Sequence, residues 1–497
     1  MIRGWGGAES TLENSFNTRV CSSGNSSTDF PAFPAVGPSI LWPVGSTRDN
    51  FIEERTYRYY SSPASSAPNE CAVENPILPS NGTKIQLEID YRAPGDLPLE
   101  IVRTFTSTFP IGRDLYHWTW TLGNRMRIEQ ANGYVTAYYA DRRYVTFLEQ
   151  PDGSFVAAGG STMTLTRDGE NLVLANFDRN RREIFDASSR LLEVHRNGRS
   201  LFYSYDEVDG LSRTTATDSF GKQVQLVLGT SGQPAYAVDP SGDRIWYQYG
   251  STFTGGGSYT NLEKVVYGDS SDTPPVDSDT PPVDFESRSY HYEYVRSPIQ
   301  HSPKLLTGIT DERGIRYSTY TYKTSGDGSG SWFSNYFYAE SSELAGGVNK
   351  VTIVPNIRNS TTEITNSLGR KTIYRYSIID GVRKLVGVDG LASEFCPARA
   401  SSMTYDDIGF SASRTDWEGN ITEYLRSSRG LAESTTFAMG TPEQRVVTTQ
   451  WHDEFNLPEI VTEPGRETVY SYVPYTNPNY TQRTITDFAD GTTRTWN

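Results

Sequence analysis

Asp239-Pro240-Ser241-Gly242-Asp243-Arg244-Ile245-Trp246-Tyr247-Gln248-Tyr249 decides how this chain is read. A carboxylate is followed three positions on by glycine, and that glycine is followed five and seven positions on by tyrosine. The spacing recurs. Gly198, Gly242, Gly369, Gly419, Gly465 and Gly491 each have an aromatic at the fifth position after them, namely Tyr203, Tyr247, Tyr374, Tyr424, Tyr470 and Trp496. A second tyrosine falls at the seventh position in Tyr205, Tyr249, Tyr376 and Tyr472, and Asp239, Asn366 and Asp416 stand three before their glycines. Asp218 before Gly221 and Asp311 before Gly314 fit the first half, with their aromatics shifted or replaced by Leu226 and Leu228. The glycines are one or two units of roughly 20 to 25 residues apart, the range in which repeats build arrays rather than compact globules.

Elementary chemistry turns this spacing into a hairpin. An aspartate side chain bonds the backbone two residues on, and glycine supplies the positive φ of a tight turn. Two aromatics spaced by two project from one face of the outgoing strand. Neighbouring hairpins then bring the rings together as cross-strand pairs, each contributing about 0.2–1 kcal/mol. Tyrosine suits the role because its ring packs while its hydroxyl reaches water or a backbone partner. One unit cannot bury its face alone, so many in sequence predict a wide, curved sheet. The competing reading is chance tyrosine spacing in a tyrosine-rich enzyme.

The rest of the chain agrees. Turn signals such as Asn132-Gly133, Asp168-Gly169, Asn197-Gly198, Asp209-Gly210, Glu418-Gly419 and Asp490-Gly491 punctuate segments rich in β-formers. Lys84-Ile85-Gln86-Leu87-Glu88-Ile89-Asp90-Tyr91 alternates with period two, and no segment of helical periodicity stands out. The fold class expected is all-β, with tandem antiparallel hairpins forming a long curved sheet, a partial β-shell. Residues 1–70, rich in Ser and Pro, read as an irregular lead-in, 71–150 as an introducing β region, and 151–497 as the repeat sheet. Within it, Asp272-Thr273-Pro274-Pro275-Val276-Asp277 recurs as Asp279-Thr280-Pro281-Pro282-Val283-Asp284, an exposed insertion near 270–285 because paired prolines cannot join a central strand. Ser325 to Ser331 reads as a flexible loop.

The chain has 497 residues with 45 Lys+Arg against 60 Asp+Glu, a formal net charge of −15. That balance argues against nucleic acid as the main partner, since phosphate binding needs a concentrated basic surface. No run of apolar residues is long enough for a membrane helix, and Met1 to Asn25 show no basic head followed by an apolar run, so a signal peptide is not expected there. The aromatic share of 12 %, with 32 Tyr and 21 Phe, predicts a core that is half polar. Cys21, Cys71 and Cys396 make no disulfide framework, and three buried thiols are favoured over a Cys21–Cys71 bridge.

The repeat carries a family resemblance. Residues 239–249, Asn366 to Tyr376 and Asn197 to Asp206 resemble the YD repeat of RHS proteins. Upstream, Cys71 to Lys84, then Asp90-Tyr91-Arg92-Ala93-Pro94-Gly95-Asp96-Leu97-Pro98-Leu99 and Arg103-Thr104-Phe105, resemble the segment that introduces RHS repeats, with departures at Ser80-Asn81-Gly82 and Phe105-Thr106-Ser107. The resemblance spans about residues 71–497. It implies a β-strip that spirals into a hollow shell, which in bacterial polymorphic toxins and Tc toxin C subunits encloses a C-terminal toxic domain. Family shells are longer and end in an aspartate-rich autoproteolytic motif, whereas this sequence stops within what reads as another repeat. The expectation is therefore a truncated shell portion lacking its toxin, secreted or at a bacterial cell surface, partnered by a toxin or by the remainder of a shell.

Candidate chemistry is sparse. His117, His195, His291, His301 and His452 show no metal-binding spacing, so no cofactor or metal is expected. No nucleophile elbow or phosphate-cradling loop appears, and Gly255-Gly256-Gly257 reads as a loop tip. Asp416 and Glu418 flank Trp417, and Asp453-Glu454 follow Trp451-His452, so a glycosidase pair could be drawn from them. Asp416 is accounted for as a turn residue, and no enzyme is expected. Arg179-Asn180-Arg181-Arg182 is a solvated basic cluster with acidic neighbours, and Trp118 with Trp120 reads as core packing. Two alternatives to a non-catalytic shell remain open: an extracellular module that stacks repeat tyrosines on glycans, and, less favoured, a β-rich hydrolase.

Overall fold

The computed structural model describes residues 77–107, 120–122, 127–131, 133–138, 144–176, 181–230, 232–254, 257–268, 286–294, 304–325, 336–356, 359–380, 382–392, 398–453, 456–472, 480–487 and 491–496. The N-terminal lead-in, all three cysteines, the duplicated proline segment, the glycine-serine stretch 326–331, His117, His301, Trp118 and Glu454 lie outside the described residues. The described residues are nearly all β, and no α-helix occurs among them.

Three sheets form. The first holds Ile77–Leu78, Thr83–Arg92, Glu100–Thr106 and Trp120–Leu122, and the second holds Arg127–Ala131, Tyr134–Tyr138, Tyr144–Glu149 and Phe155–Ala157. From Thr164–Asp168 to Thr493–Trp496 every strand pairs antiparallel with its neighbours in sequence, one uninterrupted meander. No ladder among the described residues joins its last strand to its first, so the sheet is open. The long sheet begins at Thr164, somewhat later than the boundary expected at 151.

Two devices repeat along the meander. The first is the turn. Asp239 Oδ1 accepts from the Ser241 and Asp243 amides (2.8 and 3.0 Å) while Gly242 N–H donates to the Asp239 carbonyl (3.0 Å), with Gly242 at φ +91°. Asp218, Asp311, Asn366 and Asp416 repeat the pattern, and Asp186 does so with Ser189 (φ +64°) in the glycine's place. Gly198 belongs to another kind of turn, a two-residue hairpin in which Asn197 (φ +50°) and Gly198 (φ +74°) join the paired Arg196 and Arg199. Gly465 likewise sits in a two-residue link between the paired Glu463 and Arg466.

The second device is a bulge with a clamp. The ladder slips at Gln248/Tyr249, His291/Tyr292, Thr321/Tyr322, Arg375/Tyr376 and Ser471/Tyr472, each slip at the second aromatic of a unit. A bulge bends the strand and frees a backbone group from the ladder. On the next strand an aromatic donor takes up a carbonyl beside such a slip. Tyr292 OH donates to Leu262 O (2.6 Å), Tyr322 to Leu306 O (2.8 Å), Tyr405 to Leu385 O (2.7 Å), Tyr205 to Leu191 O (2.7 Å) and Trp451 Nε1 to Ala432 O (2.9 Å). Buried carbonyls need a partner, so an aromatic that carries a donor suits the second position where phenylalanine would not.

The two small sheets lie on the ring-bearing face of the long one. Leu99, Phe105, Ile128, Val135 and Phe147 share one buried cluster with Leu172, Phe185, Ala237, Val265 and Tyr320. Smaller clusters continue it, through Ile77 with Val351 and Ile353, then through Tyr376 with Leu385 and Val388.

Candidate functional site: one inner face, filled and unfilled

The filled half is organised by a single strand. In Thr83–Arg92 the alternate residues Lys84, Gln86, Glu88 and Asp90 turn a polar edge toward the tyrosines of the repeat sheet. Asp90 receives Tyr247 OH at Oδ2 (3.0 Å) and Tyr267 OH at Oδ1 (2.9 Å). Glu88 receives Tyr317 OH (3.0 Å), and Gln86 Oε1 receives Tyr320 OH (2.8 Å) and Lys84 Nζ (3.0 Å). Lys84 Nζ also sits 4.3 Å from the centre of the Tyr320 ring.

Charges here are buried and paired. Arg103 grips Asp90 through Nε and Nη2 (2.6 and 2.8 Å), and the side chains are 2 % and 0 % exposed. Its Nη2 also donates to Tyr290 OH (2.7 Å), and the guanidinium lies among the rings of Trp120, Tyr290 and Tyr247. Trp120 Nε1 donates to Tyr292 OH (2.8 Å). Arg288 bridges Glu88 and Glu312. Burial lowers the Lys84 ammonium well below its usual range, against the pull of Glu88, and burial first, then Asp90, raises the Tyr247 phenol.

Farther along, other contacts tie the introducing region to the wall. Ala339 N–H donates to Gly82 O (2.8 Å), and Arg383 Nη1 donates to Ser80 O (2.6 Å). Lys384 Nζ donates to Gly159 O (2.9 Å) and Gly409 O (2.7 Å), while Asp380 Oδ2 accepts from Gly159 N–H (2.9 Å). Gly160 is held so close that a Cβ there would meet Gly409 backbone at 2.5 Å. Lys384 is brought down to about 8 by burial, opposed by Asp380 and Asp406.

Beyond this junction the same face is bare. Over 399–496 the described buried residues are Ser401, Gly409, Gly430, Leu431 and Thr468. The repeat aromatics follow that division. Tyr247 and Tyr376 are buried, and Tyr203 and Tyr249 pack against the main cluster. Tyr374 packs on the two smaller clusters, and Tyr205 remains partly exposed. Tyr424 and Tyr470 are half-buried, and for Tyr472 and Trp496 only the strand positions are described. The turn residues Gly369, Gly419, Gly465 and Gly491 all hold positive φ.

Of the catalytic candidates, Asp416 and Glu418 are held in structural bonds. Asp416 is occupied by its own turn, accepting from the Glu418 and Asn420 amides (both 2.9 Å) and from Asn420 Nδ2 (2.9 Å). Burial would raise its carboxyl, and these bonds outweigh burial and lower it. Glu418 pairs with Arg399 (2.9 Å). His195 bonds Ser200 and Glu193, and His291 bonds Thr310. No cluster of metal-binding side chains occurs among the described residues. The polar spine of residues 84–90 was visible in the sequence as alternation, but its facing partners, 157 to 234 positions away, were not.

A scan of family models matches residues 74–147 to a domain of unknown function, DUF6531. No curated protein matches. Among solved structures, a Photorhabdus luminescens Tc holotoxin pore is 11 % identical, with a TM-score of 0.38 over 87 % of this chain and 27 % of the other. A TcdB2-TccC3 structure is 11 % identical, with a TM-score of 0.26 over 86 % of this chain and 28 % of the other. A porin-like protein from Bacteroides uniformis is 9 % identical at a TM-score of 0.15, covering 72 % of this chain and 93 % of that one. The chain thus spans little more than a quarter of the Tc toxin chains it is similar to, and its matched family segment is the part that lies against the long sheet.

Proposed function

We propose that this chain is a non-catalytic, encapsulating wall of an RHS-repeat, toxin-like protein, acting outside the cell that makes it. One observation carries the reading: a single continuous sheet has its ring-bearing face filled by the chain's own introducing segment in one half and left half-solvated in the other. A fold selected only for a packed core would not extend so many strands past its filling. The wall works mechanically. Bulges curve the sheet, aromatic clamps hold the bulges, and the polar spine anchors the filled end, so the open stretch can screen a polypeptide from solvent. No helix among the described residues is long and apolar enough to cross a membrane.

Small-angle scattering on the purified chain tests this. A curved, low-density envelope supports the wall, and a dense sphere defeats it. A glycan array separates the adhesion alternative, which requires saturable sugar binding that is lost on changing Tyr424 and Tyr470.

A further inference from the structure

The bare stretch carries an asymmetry of charge that the turn-and-aromatic repeat does not require. Register places Arg399, Arg414, Arg426, Arg445 and Arg466 on the face that carries Tyr424 and Tyr470. Met403 is opposite Arg414, Arg414 opposite Thr422, Tyr424 opposite Thr435, and Phe437 opposite Arg445. Arg494, opposite Ile485, which is itself opposite Thr468, falls on the same face. Among the described strand side chains of 399–496 the outer face holds no cation, only Glu423 and Glu467. In the filled half cations occupy the outer face freely, as Arg213, Arg375 and Lys371 do.

Of these arginines Arg426 is spent on the fold, donating to Ser411 O and Gly430 O (both 2.7 Å), and the others are less engaged. Arg414 and Arg494 are exposed and make no ion pair among the described residues. Arg445 and Arg466 share the one carboxylate of Glu463 and remain about half exposed, as does Arg399 beside Glu418. Glu433, Glu459, Glu463 and Asp487, the last opposite Arg466, are the acidic strand residues that register places on this face, and the arginines outnumber them. The strip crosses the strands from Arg399 to Arg494, about 38 Å at some 4.8 Å per strand.

From this arrangement we infer that the unfilled inner face binds an acidic polypeptide segment, laid across the strands with its carboxylates on the arginine forks and its backbone among Tyr424, Phe437 and Tyr470. Arginine holds carboxylates through two parallel bonds, and half-exposed guanidinium groups keep their donors available. A nucleic acid fits less well, because Glu433, Glu459, Glu463 and Asp487 interrupt the strip and the chain as a whole carries −15. The inference rests on the reading of this stretch as an enclosing wall and specifies the chemistry of what is enclosed.

The test uses the full chain and a labelled oligoglutamate of about 15 residues, long enough to span the strip. Saturable binding is expected that weakens with added salt and falls at least tenfold in Arg414→Ser/Arg494→Ser. The Arg414→Lys/Arg494→Lys variant should keep most of it, and Glu423→Gln on the outer face should leave it unchanged. Absence of saturable binding, indifference to Arg414→Ser/Arg494→Ser, or tighter binding of a single-stranded oligonucleotide of equal length overturns the inference. Scattering distinguishes the two levels: a hollow wall that ignores oligoglutamate removes the acidic partner alone, and a dense sphere removes the wall as well.

Discussion

The strands from Arg181 to Gly390 and those from Arg399 to Trp496 are built on one repeat but live in different surroundings. In the first stretch Tyr247, Tyr267, Tyr317 and Tyr320 end on buried carboxylate and amide oxygens, and in the second Tyr424 and Tyr470 stand half-exposed. The difference shows that the Asp-x-x-Gly turn and bulged ladder suffice to propagate this sheet without a core behind it. They give a strand its shape, and the introducing segment gives half of the sheet its filling.

Breaking the buried pair should give the largest contrast. Asp90→Ala leaves the Arg103 cation and two tyrosine hydroxyls without their acceptor, and loss of one partner of a buried pair costs about 3–5 kcal/mol. Urea unfolding should show a fall of that size, whereas Glu418→Ala, which breaks an exposed pair in the bare stretch, should cost less than about 1 kcal/mol. Equal losses would erase the distinction between the halves.

The junction comes next, and it reports through pH. The Lys384 proton leaves the folded chain near 8 but stays on the unfolded chain up to the ordinary lysine range. Stability should therefore rise between pH 8 and 10, with a ceiling on the order of 3 kcal/mol, and Lys84 adds a rise of the same sign. Above pH 10 the sign reverses. Burial raises the Tyr247, Tyr290 and Tyr320 phenols, so the unfolded chain releases protons that the folded chain keeps. Urea midpoints between pH 7 and 11 should peak near 10, and Lys384→Met should flatten the rise while sparing the later fall. A peak near neutrality would contradict both assignments.

A smaller effect compares equivalent rings. Tyr247→Phe removes a hydroxyl donated to a buried carboxylate and should cost about 1.5–3 kcal/mol. Tyr424→Phe, half-buried with Arg426 over its ring, should cost under about 0.5 kcal/mol. Similar values for the two would mean that the bare face is covered in solution.

The smallest contrast should be none at all. Asp239→Ala and Asp416→Ala each lose a side-chain acceptor for two turn amides, at about 1 kcal/mol apiece by analogy with helix caps. Thermal unfolding that separates them widely would show that the turn depends on what lies behind it.

The sequence by itself determined the strands, the turns and the face on which the rings fall, because Asp, Gly and spaced aromatics act through neighbours within a few positions. Even there it merged two turn types at Gly198 and Gly242, since a glycine at positive φ serves both. The clamp of each bulge was hidden, because a slipped ladder leaves no mark in residue spacing. Tertiary structure alone decided which tyrosines meet Asp90 and Glu88, and it placed Lys384 on Gly159 and Gly409. Those contacts join residues far apart in the chain, and the free energy that selects them comes from desolvating charge and rings together, which no local window records.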